Sequence, residues 1–212
     1  ISITHTSMTT KGTLYIISAP SGAGKTTLIK KLLPNVDKLM VSVSHTTRPQ
    51  REGEQDGIHY FFTSVDSFTE SINQGEFFEY AQVFNNFYGT SQAAVDKNLN
   101  AGIDVILEID WQGAQQIRAA RPDCQSIFIL PPSIAALQQR LNNRGKDAQD
   151  IIDQRMQEAV TEMQHYAEYD FLIINDDFKT ALAQLKTIIL AQRLKSSSQH
   201  SHHQSLLSTL LN

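Results

Sequence analysis

One stretch of the chain decides the fold: Leu14-Tyr15-Ile16-Ile17-Ser18-Ala19-Pro20-Ser21-Gly22-Ala23-Gly24-Lys25-Thr26. Its first four residues are an unbroken apolar run, which predicts a buried strand, and the small residues after them predict a loop. The leucines between Lys25 and Leu33 fall on one helical face, and Pro34 ends this helix because proline has no backbone N–H. A buried strand, a loop and a helix in this order are typical of an α/β fold.

The same buried pattern recurs further along the chain, at residues 105–109, 127–130 and 171–174. Helical patterns lie around these runs, at residues 93–101, 114–121, 133–143, 149–166 and 178–193. Strands that alternate with helices form parallel sheets covered on both faces. We therefore predict a three-layer α/β fold with a central parallel sheet.

Residues 45–90 interrupt this alternation of strand and helix. Ile58-His59-Tyr60-Phe61-Phe62 reads as one strand, and Phe77-Phe78-Glu79-Tyr80 reads as another. Between them, Thr63-x-x-Asp66 predicts the start of a helix. We interpret this segment as a small β-rich lobe inserted into the core.

The two ends of the chain differ in composition from the core. The chain begins at Ile1 with Met8 nearby, so we expect residues 1–10 to be an N-terminal extension outside the fold. Ser, His and Gln dominate from Lys195 onward, which predicts a mobile tail over residues 196–212. The histidines of this tail lack the fixed spacing and the partners of a metal site, so we favour a solvated tail.

Length and composition exclude several classes of protein. The chain has 212 residues, of which 41% are hydrophobic and 19% charged, as expected for one folded domain. Its formal charge of −4 argues against a protein held on nucleic acid or on a membrane by bulk positive charge. The single Cys124 cannot form an intramolecular disulfide, and no apolar run approaches the roughly 18 residues that span a bilayer. We expect a cytoplasmic protein.

The loop after the first strand has the pattern of a phosphate-binding loop, Ala19-x-x-x-x-Gly24-Lys25-Thr26, with Ala in place of the first Gly. Small residues let successive backbone N–H groups face one anion, and the following helix N-terminus favours negative charge. We expect Lys25 to reach the β- and γ-phosphates of ATP and Thr26 to bind Mg²⁺. The expected ATP-binding residues of the loop are Ala19, Pro20, Ser21, Gly22, Ala23, Gly24, Lys25, Thr26 and Thr27. The alternative, a turn that only joins strand to helix, is less favoured.

Two acidic residues lie at the end of the second buried run. Glu108 and Asp110 are spaced to lie on one side of that strand, where a P-loop enzyme needs a carboxylate for its metal. We expect Glu108 to join Thr26 in binding Mg²⁺, directly or through water; capping of the next helix is the alternative for either acid. No Asn in the chain is followed by Lys, so the guanine-reading motif common in GTPases is missing.

Two arginines lie in a polar segment around Pro49. Arg48 and Arg51 each carry a planar fork of donors that suits a phosphate monoester, and Tyr60 and Tyr88 have hydroxyls for the same oxygens. By composition alone, exposed arginines are more often a solvated surface. The residues by themselves leave these two readings open.

Eight motifs together resemble the guanylate kinase family. They span residues 18–26, 43–54, 57–62, 75–81, 87–90, 108–114, 131–133 and 173–177, and include Val-Ser-His-Thr-Thr-Arg-Pro-x-Arg-x-Gly-Glu and Glu-Ile-Asp-Trp-Gln-Gly-Ala. The resemblance runs from about Gly12 to Arg193 and departs from many relatives at Ala19, His45 and Glu108. It implies a domain over residues 11–195, with a core of 11–44 and 91–195, a GMP-binding lobe of about 45–90 and a lid of about 140–156.

The resemblance also implies roles for individual residues. Those that would bind the GMP phosphate are Arg48, Arg51, Tyr60 and Tyr88, and those near the guanine or the acceptor are Ser44, Glu79, Gly89, Thr90 and Asp110. A carboxylate at Glu79 can accept from guanine N1–H and from the exocyclic amine, whereas adenine has no donor at N1. On the ATP side it implies Arg140, Arg144 and Arg155 in the lid and Asn175 near the adenine. The implied catalytic residues are Lys25, Arg51, Arg144 and Arg155.

The activity implied is phosphoryl transfer from ATP to GMP with Mg²⁺ as cofactor. ATP and GMP, and dGMP as a further acceptor, are the expected small-molecule partners; the oligomeric state is left open. Two alternatives stay open at this point. One is a non-catalytic interaction module of the same fold, and the other is a P-loop kinase with a different acceptor base.

Overall fold

The computed structural model describes residues 11–83, 85–143 and 149–211, with backbone only for residues 149–151. The strands of the described residues are, in chain order, β1 Leu14–Ser18, β2 Leu39–Val41, β3 His45–Thr46, β4 Phe61–Phe62, β5 Phe77–Val83, β6 Asn86–Ser91, β7 Asp104–Glu108, β8 Gln125–Leu130 and β9 Phe171–Ile174. The helices are α1 Lys25–Leu32, α2 Val65–Asn73, α3 Gln92–Asn100, α4 Trp111–Ala120, α5 Ile134–Asn142, α6 Gln149–Met163, α7 Phe178–Arg193, α8 Ser196–His202 and α9 Gln204–Leu211, with 3₁₀ turns at Leu33–Asn35 and Gln164–Glu168.

The central sheet has the strand order β2-β7-β1-β8-β9, and every pair in it is parallel. Tyr15 and Ile17 of β1 pack in one apolar cluster with α1 and α7. Leu14 and Ile16 pack in a second cluster with α3 and α4. Because alternate side chains of one strand enter different clusters, the sheet is buried on both faces. The predicted three-layer α/β fold is confirmed.

A second sheet forms the inserted lobe, in the order β4-β3-β6-β5. Its β3–β4 pair is parallel and its other pairs are antiparallel. The lobe returns to the core through α3, and β5 packs against α4 of the core. This insertion places the open face of the lobe beside the carboxyl ends of the central strands.

Several boundaries differ from the sequence-based expectations. Ser64, not Thr63, caps α2 by accepting the Ser67 N–H, so the expected start was one residue early. Strand β4 covers only two residues of the expected run at 58–62, and the expected helix at 149–166 ends at Met163 and continues as a 3₁₀ turn. The three-residue β2 was not predicted because it is shorter than any periodic pattern can detect.

The last residues of the chain form helices α8 and α9, which the composition did not indicate. Gln199 bonds the carbonyl of Arg193 through its side chain, with a donor–acceptor distance of 2.9 Å. The leucines of α9 remain largely exposed. The expected mobility of this segment stays a prediction. No described helix is long and apolar enough to cross a membrane.

Candidate active site

The loop between β1 and α1 is held by its own backbone and by side chains from other parts of the chain, among them Asn175 and Arg140. Gly24 adopts a left-handed conformation with φ of 93° at the start of α1. A Cβ at this position would lie 2.5 Å from Asn175 Nδ2, so only glycine fits. Asn175 Nδ2 donates to the Ala23 carbonyl at 2.7 Å, and Arg140 donates to the carbonyls of Ala23 and Asn175 at 3.4 and 2.9 Å. Both side chains therefore brace the loop.

The donor side of the site brings together Lys25, Thr26 and Glu108. Strands β1 and β7 are neighbours, and Ile17 pairs with Glu108, so the acid lies beside the start of the loop. The Thr26 hydroxyl bonds Glu108 Oε1, and Lys25 Nζ lies 4.0 Å from the same oxygen. Ala23 is fully buried and Thr27 points to solvent. Hydrogen bonds of the loop itself, such as Ala23 N–H to the Pro20 carbonyl, close the turn at 3.1 Å.

The pair Thr26 and Glu108 offers a hydroxyl and a carboxylate oxygen, which are the hard ligands that Mg²⁺ prefers. No group of three or more His, Cys, Asp or Glu in the described part of the chain could hold a metal by itself. Mg²⁺ commonly takes its other ligands from water and from the phosphates of the substrate. These two residues therefore fit a Mg²⁺ that arrives with a nucleotide.

A cavity of about 360 Å³ extends from this loop to the lobe. The expected site residues that line it are Ala19, Pro20, Ser21, Gly22, Gly24, Lys25, Thr26, Ser44, Tyr60, Glu79, Tyr88, Glu108 and Asp110. It joins a larger cleft of about 1060 Å³, which Arg51 and Arg155 line. Residues predicted to bind ATP and residues predicted to bind GMP thus line one connected space.

Arg48 does not line this cavity; it lies beside Tyr60, which does, and is held by Glu54. Its Nη2 donates to Glu54 Oε1 at 2.7 Å, and its Nη1 donates to the Pro49 carbonyl at 2.8 Å. The bond with Glu54 raises the pKa of Arg48 and lowers the pKa of Glu54. Glu54 Oε2 also accepts the backbone N–H of Arg51 at 2.8 Å, so one carboxylate holds the side chain of Arg48 and the backbone of Arg51. The guanidinium carbon of Arg48 lies 5.4 Å from the ring centroid of Tyr60.

The two tyrosines lie against each other beside Arg48. The ring centroids of Tyr60 and Tyr88 are 6.0 Å apart, in an edge-to-face arrangement. Burial raises the pKa of Tyr60, and the neighbouring Tyr88 raises it further, so its hydroxyl keeps its proton as a donor. Gly89, the next residue of β6, is buried against the aromatic side chains of the lobe. A Cβ at this position would lie 2.9 Å from the Phe68 ring. The structure therefore gives Gly89 a packing contact within the lobe.

Glu79 is the buried acid of the lobe, with 3% of its surface exposed. The Thr90 hydroxyl donates to Glu79 Oε1 at 2.5 Å. Burial raises the pKa of Glu79 to about 7, against the smaller opposing effect of the Thr90 bond, and the nearby Asp110 raises it further. At neutral pH this carboxyl is therefore close to half protonated.

Helix α4 of the core packs against Glu79 of the lobe. A Cβ on Gly113 would lie 2.6 Å from Glu79 Oε2, so the missing side chain makes room for the carboxyl. Gln116 bonds both the N–H and the carbonyl of Tyr80, at 3.1 and 2.8 Å, beside an irregularity in the register of β5. The lobe is thereby tied to the core next to the acid.

Asp110 differs from its expected position on the strand. Strand β7 ends at Glu108, and Asp110 caps α4 by accepting the Gly113 N–H at 2.9 Å. The two acids therefore do not share a strand face, although both line the cavity. The sequence also allowed Asp110 to be a helix cap. The structure shows this cap, and Asp110 lines the cavity as well.

The expected lid is described in part. Arg144 lies outside the described residues. Arg140, on α5, braces the loop as stated above, and Arg155, on α6, lines the larger cleft with Arg51. The binding roles of Arg140, Arg144, Arg155 and Asn175 toward ATP stay predictions.

Sequence reasoning missed three residues that order the site: Glu54, Gly113 and Gln116. Glu54 and Gly113 lie inside quoted motifs, at residues 43–54 and 108–114, but no spacing rule marks them as supports. The contacts of Gly113 with Glu79 and of Gln116 with Tyr80 join segments that are distant along the chain, whereas those of Glu54 lie within its own loop. Only the folded chain shows such pairs.

The strand, loop and helix with the acid on the neighbouring strand define a P-loop protein of the α/β class. A family model described as Guanylate kinase matches residues 11–192. The guanylate kinase of Pseudoalteromonas translucida is 58% identical over 202 residues, which are 95% of this chain and 98% of that protein. That of Escherichia coli is 57% identical over 204 residues, with the same coverage. The crystal structure of guanylate kinase from Anaplasma phagocytophilum, 31% identical, superposes with a TM-score of 0.74 over 90% of this chain and 91% of that chain. The chain belongs to the guanylate kinase family.

The raised pKa of Glu79 predicts a pH-dependent gain in stability for Glu79→Gln. The folded-state pKa of about 7 exceeds the ordinary value of 4.5, so ionising this group costs folding free energy as pH rises through 7. Gln cannot ionise and can still accept from Thr90. Without nucleotide, we expect the variant to be more stable than the parent at pH 8, by up to about 3 kcal/mol, with most of the difference gone at pH 5.

Urea unfolding at pH 5, 6.5 and 8 measures this difference. Glu52→Gln, an exposed change of the same kind, is the control and should alter the free energy of unfolding by less than about 0.5 kcal/mol at each pH. A Glu79→Gln effect that is the same at pH 5 and pH 8 would contradict the raised pKa.

Proposed function

We propose that the chain catalyses reversible transfer of the γ-phosphoryl group of ATP to GMP, giving ADP and GDP, in purine nucleotide metabolism. The observation that carries this is the cavity in which the loop with Lys25 faces Glu79, Tyr60 and Tyr88. One side suits a triphosphate and the other suits a guanine nucleotide. Membership of the guanylate kinase family supports the same pairing of substrates.

On the donor side, the backbone N–H groups of the loop and Lys25 bind the β- and γ-phosphates. Thr26 and Glu108 would hold Mg²⁺, directly or through water, and the ion would supply positive charge to balance that of the phosphates. Asn175 and Arg140 keep the loop in the binding conformation through Ala23.

On the acceptor side, Arg48, Arg51, Tyr60 and Tyr88 bind the phosphate of GMP. Glu54 holds the guanidinium of Arg48 and the backbone of Arg51 in place, so little side-chain entropy is lost at Arg48 on binding. Glu79, with Ser44 and Thr90, recognises guanine. Because the ionised carboxylate accepts from N1–H and the exocyclic amine, guanine binding lowers the pKa of Glu79 and releases a proton near pH 7.

The chemical step needs positioning more than proton transfer. The attacking oxygen belongs to the phosphate of GMP, which is already mostly ionised near neutral pH because its second pKa is about 6. The protein must therefore hold two anions in line and balance the charge of the transition state. Lys25, Arg51, Arg144 and Arg155 supply that positive charge. Closing the cleft over both nucleotides keeps water from acting as the acceptor.

Two features argue against the alternatives. Lys25 and Thr26 are present and contact Glu108, whereas an interaction module has no need of a phosphate loop with its acid. The buried Glu79 matches guanine and has no partner at N1 of adenine. Cytoplasmic location, and the lack of a nucleic-acid or membrane partner, remain expectations.

The identity of the acceptor base is the direct test. In an assay coupled to ADP release, we expect GMP to be used at least about 10³-fold better in kcat/KM than AMP or UMP, because a mismatched base leaves the buried Glu79 unpaired. The comparison of GMP with dGMP measures the contribution of the ribose. Equal use of AMP, or rapid ATP hydrolysis without any acceptor, would refute the proposal.

Gly113→Ala tests the room beneath Glu79. The added Cβ would lie 2.6 Å from Glu79 Oε2, so the carboxyl must leave the position from which we propose that it binds guanine. We expect the KM for GMP to rise about tenfold or more, because a charge-assisted hydrogen bond is weakened, while the KM for ATP stays close to that of the parent. Ala119→Ser, at an exposed position of the same helix, is the matched control. An unchanged KM for GMP in a folded Gly113→Ala protein would remove the proposed support.

Arg155→Ala tests the charge supplied by α6. An arginine that acts on the transferring group is worth about 10³ or more in rate, so kcat should fall by about that factor, and the KM for GMP should change much less. Arg144→Ala is expected to behave alike. Lys30→Ala removes an exposed positive charge from α1 and should leave kcat unchanged. Near-normal kcat in both arginine variants would show that the charge comes from elsewhere.

A further inference from the structure

A carboxylate from α6 contacts the phosphate loop directly. Glu162, in the last turn of α6, accepts the Ser21 N–H through Oε2 at 3.3 Å, across 141 residues of sequence. It lines both the cavity of about 360 Å³ and the larger cleft, as Ser21 does. None of the roles assigned above uses this acid.

Glu162 is an acidic side chain that occupies a position beside the phosphate loop where a bound anion is expected. Burial raises the pKa of its carboxyl, while the positive charge of Lys25 and the Ser21 N–H favour the ionised form. Lys25 also lies 4.0 Å from Glu108 Oε1, so two carboxylates act on the same lysine. A triphosphate that binds here meets the negative charge of Glu162 and competes with it for the same positive groups.

Glu162 shares its helix with Arg155. The two residues are seven positions apart, which is close to two helical turns, so they lie on one side of α6, and both line the larger cleft. Glu158 lies between them, lines the same cleft and accepts from Gln154 Nε2 at 3.0 Å. The contact of Glu162 with Ser21 therefore anchors the helix that carries a proposed catalytic arginine.

We propose that Glu162 is an anionic tether between α6 and the phosphate loop, which competes with the phosphates of ATP and thereby sets the affinity for the donor. Binding of the triphosphate exchanges the Ser21–Glu162 contact for contacts with phosphate and frees the end of α6. This deepens the proposed function and rests on ATP as the donor. The residue acts by positioning and by charge, not by contact with the transferred group.

The test is the affinity of Glu162→Gln for nucleotides, measured by calorimetry in the absence of GMP. Gln keeps an acceptor for the Ser21 N–H and loses only the charge. We expect MgATP to bind about three- to tenfold more tightly than to the parent, MgADP to gain less, and adenosine to gain nothing, because the effect follows phosphate charge. Raising the ionic strength should shrink the gain.

Glu158→Gln is the matched control, since it removes the same charge one turn away on the same helix. Its affinity for MgATP should change by less than twofold. An equal gain in Glu158→Gln would mean a general charge effect of the cleft and would overturn the tether. Unchanged or weaker binding of MgATP to Glu162→Gln would overturn it as well.

Circular dichroism and a thermal melt establish that the variants are folded. If Glu162→Gln fails to fold, Glu162→Asp withdraws the carboxylate from Ser21 by one methylene, and MgATP should again bind more tightly, by a smaller factor. An assay of the parent protein with ATP and GMP distinguishes failure of the tether from failure of the proposed function. Phosphoryl transfer by the parent with no change of affinity in either variant would defeat the tether alone, whereas no transfer to GMP would defeat the proposed function.

Discussion

The turn of backbone at Gly24 is the constraint on which the rest of the site depends. It closes the loop after β1 and begins α1 with a residue whose φ of 93° few side chains tolerate. The amide of Asn175, at the end of β9, fills the space that a side chain at Gly24 would need. Arg140 of α5 adds its bonds to the same carbonyl, that of Ala23. A loop of small residues would otherwise sample many conformations, and these contacts reduce that freedom before any nucleotide binds.

The burial of Glu79 is a second feature on which the site depends, and it costs folding free energy. A carboxyl with 3% exposure and a pKa of about 7 reduces the stability of the folded chain at high pH, and its neighbours offset only part of that cost. Thr90 supplies one hydrogen bond, and Gly113 leaves the space. An acid in such surroundings gains most from a ligand that donates to both of its oxygens. Stability is given up at the residue that we propose recognises guanine, and such a cost is common at functional sites.

The two sides of the site come from two parts of the fold, the lobe and the core, which meet where β5 packs against α4. The lobe is built on its own sheet, and the bonds between Gln116 and Tyr80 tie it to α4. The loop, the acid Glu108 and the bracing residues belong to the core. A site formed at such a junction can change its width when one part moves against the other, which suits a reaction that must admit two nucleotides and exclude water.

The sequence by itself determined the central strands, the phosphate loop and most helices, because each depends on neighbours in the chain: apolar runs, small residues in a turn, and Pro34 after α1. Helix α7 and strand β9 were predicted to the residue. The resemblance to a family then pointed to Arg48, Tyr60, Glu79 and their companions. The predicted cap at Thr63 was wrong by one residue. Helices α8 and α9 were missed because Ser, His and Gln at the start of this segment led us to interpret all of it as a tail.

Only the tertiary structure decided how these residues act on one another. It showed that Asp110 caps a helix, that Glu54 bonds two arginines and that Asn175 braces the loop. It also set the burial of Glu79 and the contact of Glu162 with Ser21. The contacts of Asn175 and Glu162 come from residues brought together over long stretches of chain, and the local contacts of Asp110 and Glu54 depend on backbone conformations that composition does not specify.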